Sequence, residues 1–405
     1  MIELFQKIKN NKKLYATRIY LTALGIYMFT LVIAESAYVT RHEAGKLGLI
    51  LKAIQLLATA LCCVRLLIAP PCFRRESESM GSKIDIKRMI ILGLGFLAFL
   101  FCAYNSGYMQ SLLVPFFLLG AVDLDSKPIV KTAIAVEGGI LALLLILSQL
   151  GLTEDYVFEN AGRIRHALGT NWCTVPIISF YFIMLGYIYI RAERFKWYEA
   201  VVLELMNLYL FYMTRTRMTF VVATAFLAFF AIQSLWKEPW KIFSKLKWFW
   251  VSCPFILAGI SLVAIVAYRP ESEIWVKINK LFSNRFVLSQ SALSDYKITL
   301  FGQDITWNGH YILSPTSSAE HPYNYVDCSY LQYLLSYGVV FLIIILALYS
   351  WGIYKCIKAN NYWGVFVLLL VLVHSMTEPH LMNIKVNPLL LAAMAIPCAN
   401  ARNGV

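Results

Sequence analysis

Charged residues are scarce in this 405-residue chain, at 15% of positions, whereas a soluble domain carries about a quarter. The hydrophobic share is 59%, and it is gathered in long blocks such as residues 221–236 and 339–351. This composition excludes an ordinary soluble globular protein. A block of about 20 apolar residues satisfies its own backbone hydrogen bonds only as a helix, so each block predicts a membrane-spanning helix. Continuous runs such as residues 140–147 exclude a transmembrane β-barrel, whose strands alternate apolar and polar residues.

Cofactor and processing motifs are also missing. The nine cysteines form no C-x-x-C pair and no metal-ligand spacing, so neither disulfides nor a zinc site are expected. There is no P-loop or nucleotide-binding fingerprint, and the D-x-D at Asp123-Leu-Asp125 is interpreted as a solvated helix end. We therefore expect no metal and no cofactor. The basic amino-terminal residues lead into a full-length apolar segment without a small-residue cleavage site, so no cleavable signal peptide is expected.

The apolar blocks predict an all-α, polytopic integral membrane protein with a single membrane domain over residues 1–405 and no internal repeat. Twelve helices are predicted near residues 19–39, 47–69, 86–104, 107–124, 130–150, 171–190, 198–214, 217–236, 247–268, 328–354, 361–377 and 386–400. The net charge of +13 does not indicate a nucleic-acid partner, because the basic residues fall between the apolar blocks. With the amino terminus inside, inner segments hold 22 of the 36 Lys and Arg residues, and outer segments hold 12. Both termini are therefore predicted to be cytoplasmic.

Three polar features then fall on the extracytoplasmic side. They are the loop over residues 152–170, the tight turn around residues 215–217, and a large loop over residues 269–326. The large loop is far longer than a connection requires, and long loops in compact proteins are usually functional or disordered. Its content of Tyr, Trp, Asn and His indicates an ordered, functional loop.

Arginines are concentrated on this predicted outer side. Arg215 and Arg217 lie between two apolar helices, and the guanidinium fork matches phosphate oxygens. The alternative is that both are snorkelling residues at the membrane boundary, although positive charge is disfavoured on the outer side. Arg163 and Arg165 lie in the first outer loop. Arg285 lies in an amphipathic stretch, and composition favours a surface helix with this arginine facing lipid headgroups over a substrate contact.

Candidate acid–base groups accompany the arginines. His321 is able to act as an acid, a base or an anion ligand, but a loop histidine is more often solvated. Asp327 is a candidate base or a cap for the next helix, and Glu378 is a candidate base or the partner of an arginine. The tyrosines of this region are candidates for stacking on sugar faces, although tyrosine is enriched at membrane interfaces in any case. They are Tyr323, Tyr325 and Tyr330.

Together these residues predict an enzyme that acts on an anionic, lipid-linked substrate at the outer membrane surface. Arginines would stabilise a departing pyrophosphate, and a histidine or carboxylate would deprotonate an acceptor hydroxyl. A transporter for the same lipid-linked glycans is the main alternative from another class. It is disfavoured because the helix centres are largely apolar and the two halves of the chain show no symmetry.

The order of the motifs resembles that of the Wzy-type polysaccharide polymerases, within the O-antigen polymerase and ligase group. The resemblance covers the second half of the chain. Its motifs are Gly169-Thr-Asn171, Thr214-Arg-Thr-Arg217, Ser283-Asn-Arg285 with Tyr296 to Gly302, Asp327-Cys-Ser-Tyr-Leu331 with Tyr337-Gly338, and Glu378 with Asn387-Pro388. His321-Pro-Tyr-Asn324 followed by Asp327 departs from the ligase pattern H-x-x-N-x-x-L, which favours a polymerase over a ligase.

The resemblance implies a GT-C-like, metal-independent glycosyltransferase of the cytoplasmic membrane that makes capsule, exopolysaccharide or O-antigen. It would move a growing glycan from undecaprenyl pyrophosphate to the terminal sugar of a new lipid-linked repeat unit. Arginines at positions such as 215, 217 and 285 would engage the pyrophosphate. A flippase and a chain-length regulator are the implied partner proteins. A ligase that transfers finished glycan to another acceptor remains the close alternative.

Overall fold

The computed structural model describes residues 11–42, 45–71, 86–160, 162–235, 245–309 and 323–397. His321 lies outside these residues. In chain order the elements are α1 Lys12–Ile33, α2 Ala37–His42, α3 Lys46–Ile68, α4 Ile86–Asn105, α5 Val114–Ala121, α6 Ser126–Gln149, β1 Val157–Asn160, β2 Arg163–His166, α7 Val175–Arg191, α8 Trp197–Thr214, α9 Arg217–Leu235, α10 Lys247–Ala267, α11 Glu273–Leu281, α12 Arg285–Asp295, α13 Ser329–Ser336, α14 Gly338–Lys358, α15 Tyr362–His374 and α16 Leu389–Met394. Short 3₁₀ turns, Met109–Leu113 and Ala192–Arg194, precede α5 and follow α7.

The prediction of a mostly helical membrane protein is confirmed. Within the described ranges, seven helices are long and apolar enough to cross a bilayer, because about 20 helical residues span the ~30 Å hydrocarbon core. They are α1, α3, α6, α7 with its 3₁₀ turn, α9, α10 and α14. Three further apolar segments are shorter: Met89–Asn105, Met109–Ala121 and Tyr362–His374. The count of twelve spans and the cytoplasmic placement of the termini stay predictions.

Three predicted spans are not single full-length helices. The block over 107–124 forms a 3₁₀ turn and the eight-residue α5. In the block over 386–400, the described residues 386–397 contain the six-residue α16, which is about 9 Å long. The block over 328–354 is divided into α13 and α14. Hydropathy did not reveal these breaks because the apolar composition continues through them.

The break between α13 and α14 fixes part of the large loop to the bundle. Gly338 and Gly302 both have left-handed backbones, with φ of 88° and 90°. A Cβ atom on Gly302 would lie 2.5 Å from the carbonyl oxygen of Ser336, so only glycine permits this close approach. The amide of Gln303 donates to the same carbonyl at 2.9 Å, and the amide of Val339 donates to the Thr299 carbonyl at 3.0 Å.

The two ends of the bundle differ in chemistry. We call the end that carries β1, β2, α11 and α12 the loop face. At the other end, Lys355 donates to the carbonyls of Met394 and Ala395 at 2.7 Å each, and the buried Arg65 donates to the Val122 carbonyl at 2.7 Å. These cations satisfy carbonyl groups where the backbone is irregular, as a non-aqueous environment requires.

The first polar loop contains strands that an all-α description omits. β1 and β2 pair as an antiparallel hairpin, with Phe158 opposite Arg165. Asp155 fixes the hairpin to the turn that follows it, because its carboxylate accepts from the amide of Leu168 at 2.7 Å and contacts His166 Nδ1 at 2.6 Å. The hairpin packs beside the end of α8, which places Arg163 and Arg165 on the loop face.

Candidate functional site

Arg285 is brought into position by a tight turn between α11 and α12. Ser283 and Asn284 have left-handed backbones, with φ of 55° and 64°. The side chain of Asn279 stabilises this turn, because its oxygen accepts from the amide of Phe286 at 3.1 Å and its nitrogen donates to the Asn284 side chain at 3.2 Å. The turn makes Arg285 the first residue of α12, directed into the bundle.

Arg285 forms two ion pairs with residues from distant parts of the chain. Its Nε donates to Asp327 Oδ2 at 2.8 Å, and its Nη2 donates to Glu378 Oε1 at 2.7 Å. The exposed fractions of the three side chains are 17%, 21% and 6%. We call these three residues the charge cluster. The expectation that Arg285 faces lipid headgroups is therefore wrong, and the predicted pairing of Glu378 with an arginine is confirmed.

Asp327 does not cap the following helix. The N-cap residue of α13 is Cys328, with no capping side-chain hydrogen bond, and the Asp327 carboxylate accepts from Arg285 instead. Glu378 lies in the irregular segment between α15 and α16. Its carbonyl accepts from the hydroxyl of Ser329 at 2.6 Å, which joins this segment to the start of α13.

The electrostatics of the charge cluster follow from its burial. Burial raises the pKa of Glu378 to about 7, although the Arg285 guanidinium acts in the opposite direction, and the Asp327 carboxylate raises it further. Burial acts to lower the pKa of Arg285, but its two carboxylate partners hold that pKa above the ordinary value. The cluster therefore combines a permanent cation with a carboxyl group that titrates near neutral pH.

The other predicted arginines form a separate surface on the loop face. Arg165 donates through Nε to the Thr214 carbonyl at 3.0 Å and through Nη2 to Thr216 Oγ1 at 3.3 Å, so it joins the hairpin to the end of α8. Arg163, Arg215 and Arg217 are exposed, and no carboxylate within the described ranges pairs with them.

We call these four residues the arginine surface. Arg215 has a left-handed backbone, with φ of 53°, and its guanidinium lies 4.7 Å from the ring centre of Tyr212. The charge of Arg165 also lowers the pKa of Glu378, so the arginine surface acts electrostatically on the charge cluster.

A cavity of about 310 Å³ lies next to the segments that carry Asp327 and Glu378, although no residue of the charge cluster is part of its wall. It is lined by residues of α1, the 3₁₀ turn before α5, the large loop, α13 and the irregular segment. Tyr325, two residues before Asp327, and Pro379, directly after Glu378, both contribute to its wall. Lys385 also lines the cavity and pairs with Glu35.

The predicted tyrosines have different environments. Tyr325 lines the cavity, and Tyr323 lies close enough to Arg285 to help raise its pKa. Tyr330 is fully buried, and its hydroxyl donates to the carbonyl of Leu372 at 2.7 Å. Tyr330 is therefore a core residue and is not available to stack on a glycan.

Sequence reasoning missed several polar residues at this site. Gln332 and Asn383 line the cavity, and neither stood out in the sequence because each lies in an apolar or irregular stretch. Trp307 also lines it, and the signal for Trp307 was the aromatic content of the large loop. The buried His374, which sequence reasoning also missed, has its ring centre 6.4 Å from that of the half-buried His380. Within the described residues, no group of three or more His, Cys, Asp or Glu side chains is arranged to hold a metal ion.

No protein-family model, curated protein or solved structure matches this chain. The resemblance to Wzy-type polymerases therefore stays a prediction from the order of the motifs.

Proposed function

We propose that this chain is a polysaccharide polymerase that joins undecaprenyl-pyrophosphate-linked oligosaccharide repeat units at the outer face of the cytoplasmic membrane. The observation that carries the proposal is the charge cluster, in which Arg285, Asp327 and Glu378 meet from three separate segments on the loop face of an apolar bundle. Three charged side chains in a mostly buried environment are costly unless they are paired, and such groups mark functional sites in membrane proteins.

Glu378 is the group best suited to act as the base. An efficient general base has a pKa near the working pH, and burial gives Glu378 a pKa of about 7. In the proposed step, Glu378 takes the proton of an acceptor sugar hydroxyl, and the hydroxyl oxygen attacks the anomeric carbon of the donor glycan. The bond between that carbon and the pyrophosphate oxygen breaks, and its electron pair leaves with the lipid pyrophosphate.

The arginines supply the positive charge that the leaving group requires. The exposed guanidinium groups of the arginine surface are suited to bidentate contacts with pyrophosphate oxygens. Within the described residues, Arg285 makes no hydrogen bond through Nη1, so this nitrogen keeps its donors for a phosphate oxygen. Preorganised cations of this kind stabilise charge that develops on a leaving group.

The test uses the purified protein in lipid with the undecaprenyl-pyrophosphate-linked repeat unit as the sole substrate, without nucleotide sugar or divalent metal. We expect a ladder of lengthened glycans from the wild type. Glu378→Gln and Arg215→Ala are each expected to reduce ladder formation at least 100-fold, a typical contribution of a general base or a charge-stabilising group. Arg194→Ala is the matched control, because Arg194 is an exposed arginine at the opposite end of the bundle.

Folded wild-type protein that forms no ladder would refute the polymerase proposal. A product that appears only with a different added acceptor would indicate a ligase-like transferase. Equal activity in Arg215→Ala and Arg194→Ala would remove the arginine surface from the mechanism.

Transport of the same lipid-linked glycans is the second candidate function, favoured by polar groups inside the bundle. Glu137 in the middle of α6 is fully buried, and Lys385 pairs with Glu35 beside an interrupted segment. Intramembrane charges and broken helices are typical of transporters. Movement of intact substrate across vesicles, without any change in glycan length, would support transport over polymerisation.

A further inference from the structure

Three polar side chains in the wall of this cavity have no hydrogen-bond partner within the residues that the structure describes. Gln332 is only 8% exposed, and its side-chain amide makes no hydrogen bond within the described part of the chain. The half-buried Asn383 and the exposed Gln110 also line the cavity, and neither side chain has a hydrogen-bond partner among the described residues. A carboxamide offers two donors and an acceptor, and a buried carboxamide such as that of Gln332 is almost always paired. These three amides are therefore suited to a ligand rich in hydroxyl groups.

Aromatic rings form much of the remaining wall. Trp307 donates through Nε1 to the hydroxyl of Ser336 at 2.9 Å, and the hydroxyl of Tyr333 donates to the Pro379 carbonyl at 3.2 Å. Their polar atoms are already bonded to the protein, so these residues offer ring carbon to the cavity. Fixed aromatic surfaces beside carboxamides complement a sugar ring, which has apolar C–H faces and a rim of hydroxyl groups.

The charge of the cavity limits the kind of sugar. Among the described residues of its wall, Lys385 is the charged one, and its ammonium group is already paired with Glu35. A carboxylate on the ligand would have to compete with Glu35 for that ammonium group. The cavity therefore favours a neutral sugar over a uronic acid.

The size and place of the cavity define its role. At about 310 Å³ it lies at the lower end of ligand pockets, which span roughly 300–1,000 Å³, so it suits one or two sugar rings. We propose that this cavity binds the neutral terminal sugar of the acceptor glycan through Gln332, Asn383 and Gln110, next to the segment that carries Glu378. This inference rests on the proposed function, because it assigns the acceptor subsite of that reaction.

Binding of free glycan tests the inference separately from polymerisation. The probe is the repeat-unit oligosaccharide released from its lipid pyrophosphate, titrated against full-length protein in lipid nanodiscs and followed by saturation-transfer NMR. We expect Gln332→Leu and Asn383→Leu each to weaken binding at least tenfold. Gln149→Leu is the matched control, since Gln149 is exposed at the end of α6 and outside the cavity, and its binding should equal that of the wild type.

The outcomes separate the two proposals. Wild-type protein that does not bind the oligosaccharide, or binding that both cavity variants retain, would overturn the acceptor subsite even if the wild type forms a glycan ladder. Binding that depends on Gln332 or Asn383, with no ladder from the wild type, would support the saccharide site and refute the polymerase. The two variants lie in different segments, so a folding defect in one leaves the other to decide.

Discussion

Replacing Glu378 with glutamine should change how the stability of this protein depends on pH. Glutamine keeps an oxygen that accepts from Arg285 Nη2 but does not titrate. In the wild type, burial raises the pKa of Glu378 from 4.5 to about 7. Because the folded-state pKa lies above the unfolded one, the stability that this carboxyl group contributes is complete below about pH 4.5 and is lost as the pH rises through about 7. At ~1.4 kcal/mol per pKa unit, the loss amounts to roughly 3 kcal/mol.

The assay compares the free energy of unfolding of the wild type and Glu378→Gln in mixed micelles from about pH 4 to about pH 9. As the pH rises, the free energy of unfolding of the glutamine variant should increase by roughly 3 kcal/mol relative to that of the wild type. The infrared C=O band of a protonated carboxyl group, present in the wild type and absent in the variant, should titrate with a midpoint near 7. A stability difference that stays constant over this pH range would refute the reasoning.

The two charged neighbours of Glu378 shift its pKa in opposite directions, which provides a further test. Arg285 lowers the pKa of Glu378, so Arg285→Met should move the infrared midpoint upwards. Asp327 raises that pKa, so Asp327→Asn should move the midpoint downwards. A general loss of packing would shift both variants in the same direction, and that result would contradict the electrostatic explanation.

Two further predictions concern the bundle. Gly338→Ala should prevent correct packing of the large loop, because φ is 88° and an added Cβ would approach the Leu300 carbonyl oxygen to 2.6 Å. The control Gly259→Ala in α10 should change stability by less than about 1 kcal/mol. Limited proteolysis compares the two variants, and equal cleavage of both would contradict the close-approach argument. Lys355→Met should lower the free energy of unfolding by about 2–4 kcal/mol, because two carbonyls lose their donor. Lys358→Met, at an exposed lysine, should lower it by less than about 1 kcal/mol. Chemical denaturation measures both variants, and equal losses would show that the two contacts of Lys355 are unimportant.

The membrane character of the fold was predictable because it depends on local composition. A long apolar run such as α6 or α14 reads as a spanning helix whatever its neighbours are, and both lie close to the predicted blocks. The helix breaks were not predictable from hydropathy. The six-residue α16 lies within a continuous apolar block, and at its carboxyl end the Met394 and Ala395 carbonyls accept hydrogen bonds from the distant Lys355.

The candidate site was predictable as a set of residue types but not as an arrangement. The sequence indicated Arg285, Asp327 and Glu378 individually, and it favoured a lipid-facing role for the arginine. Their contact depends on the left-handed turn before α12 and on the irregular segment after α15. The partner of Arg285 at Glu378 is 93 residues away, and no local pattern encodes that distance.

By itself, the sequence determined that the chain enters a membrane, that a large polar loop interrupts its apolar blocks, and that several arginines accompany that loop. These properties follow from how each segment partitions between water and hydrocarbon, which depends on its own residues. Only the tertiary structure decided which arginine is neutralised by carboxylates, which ones stay exposed, and that Gln332 and Asn383 face a shared cavity. Those outcomes depend on how distant segments pack, because a side chain meets its partners only when backbone breaks and close contacts bring their segments together.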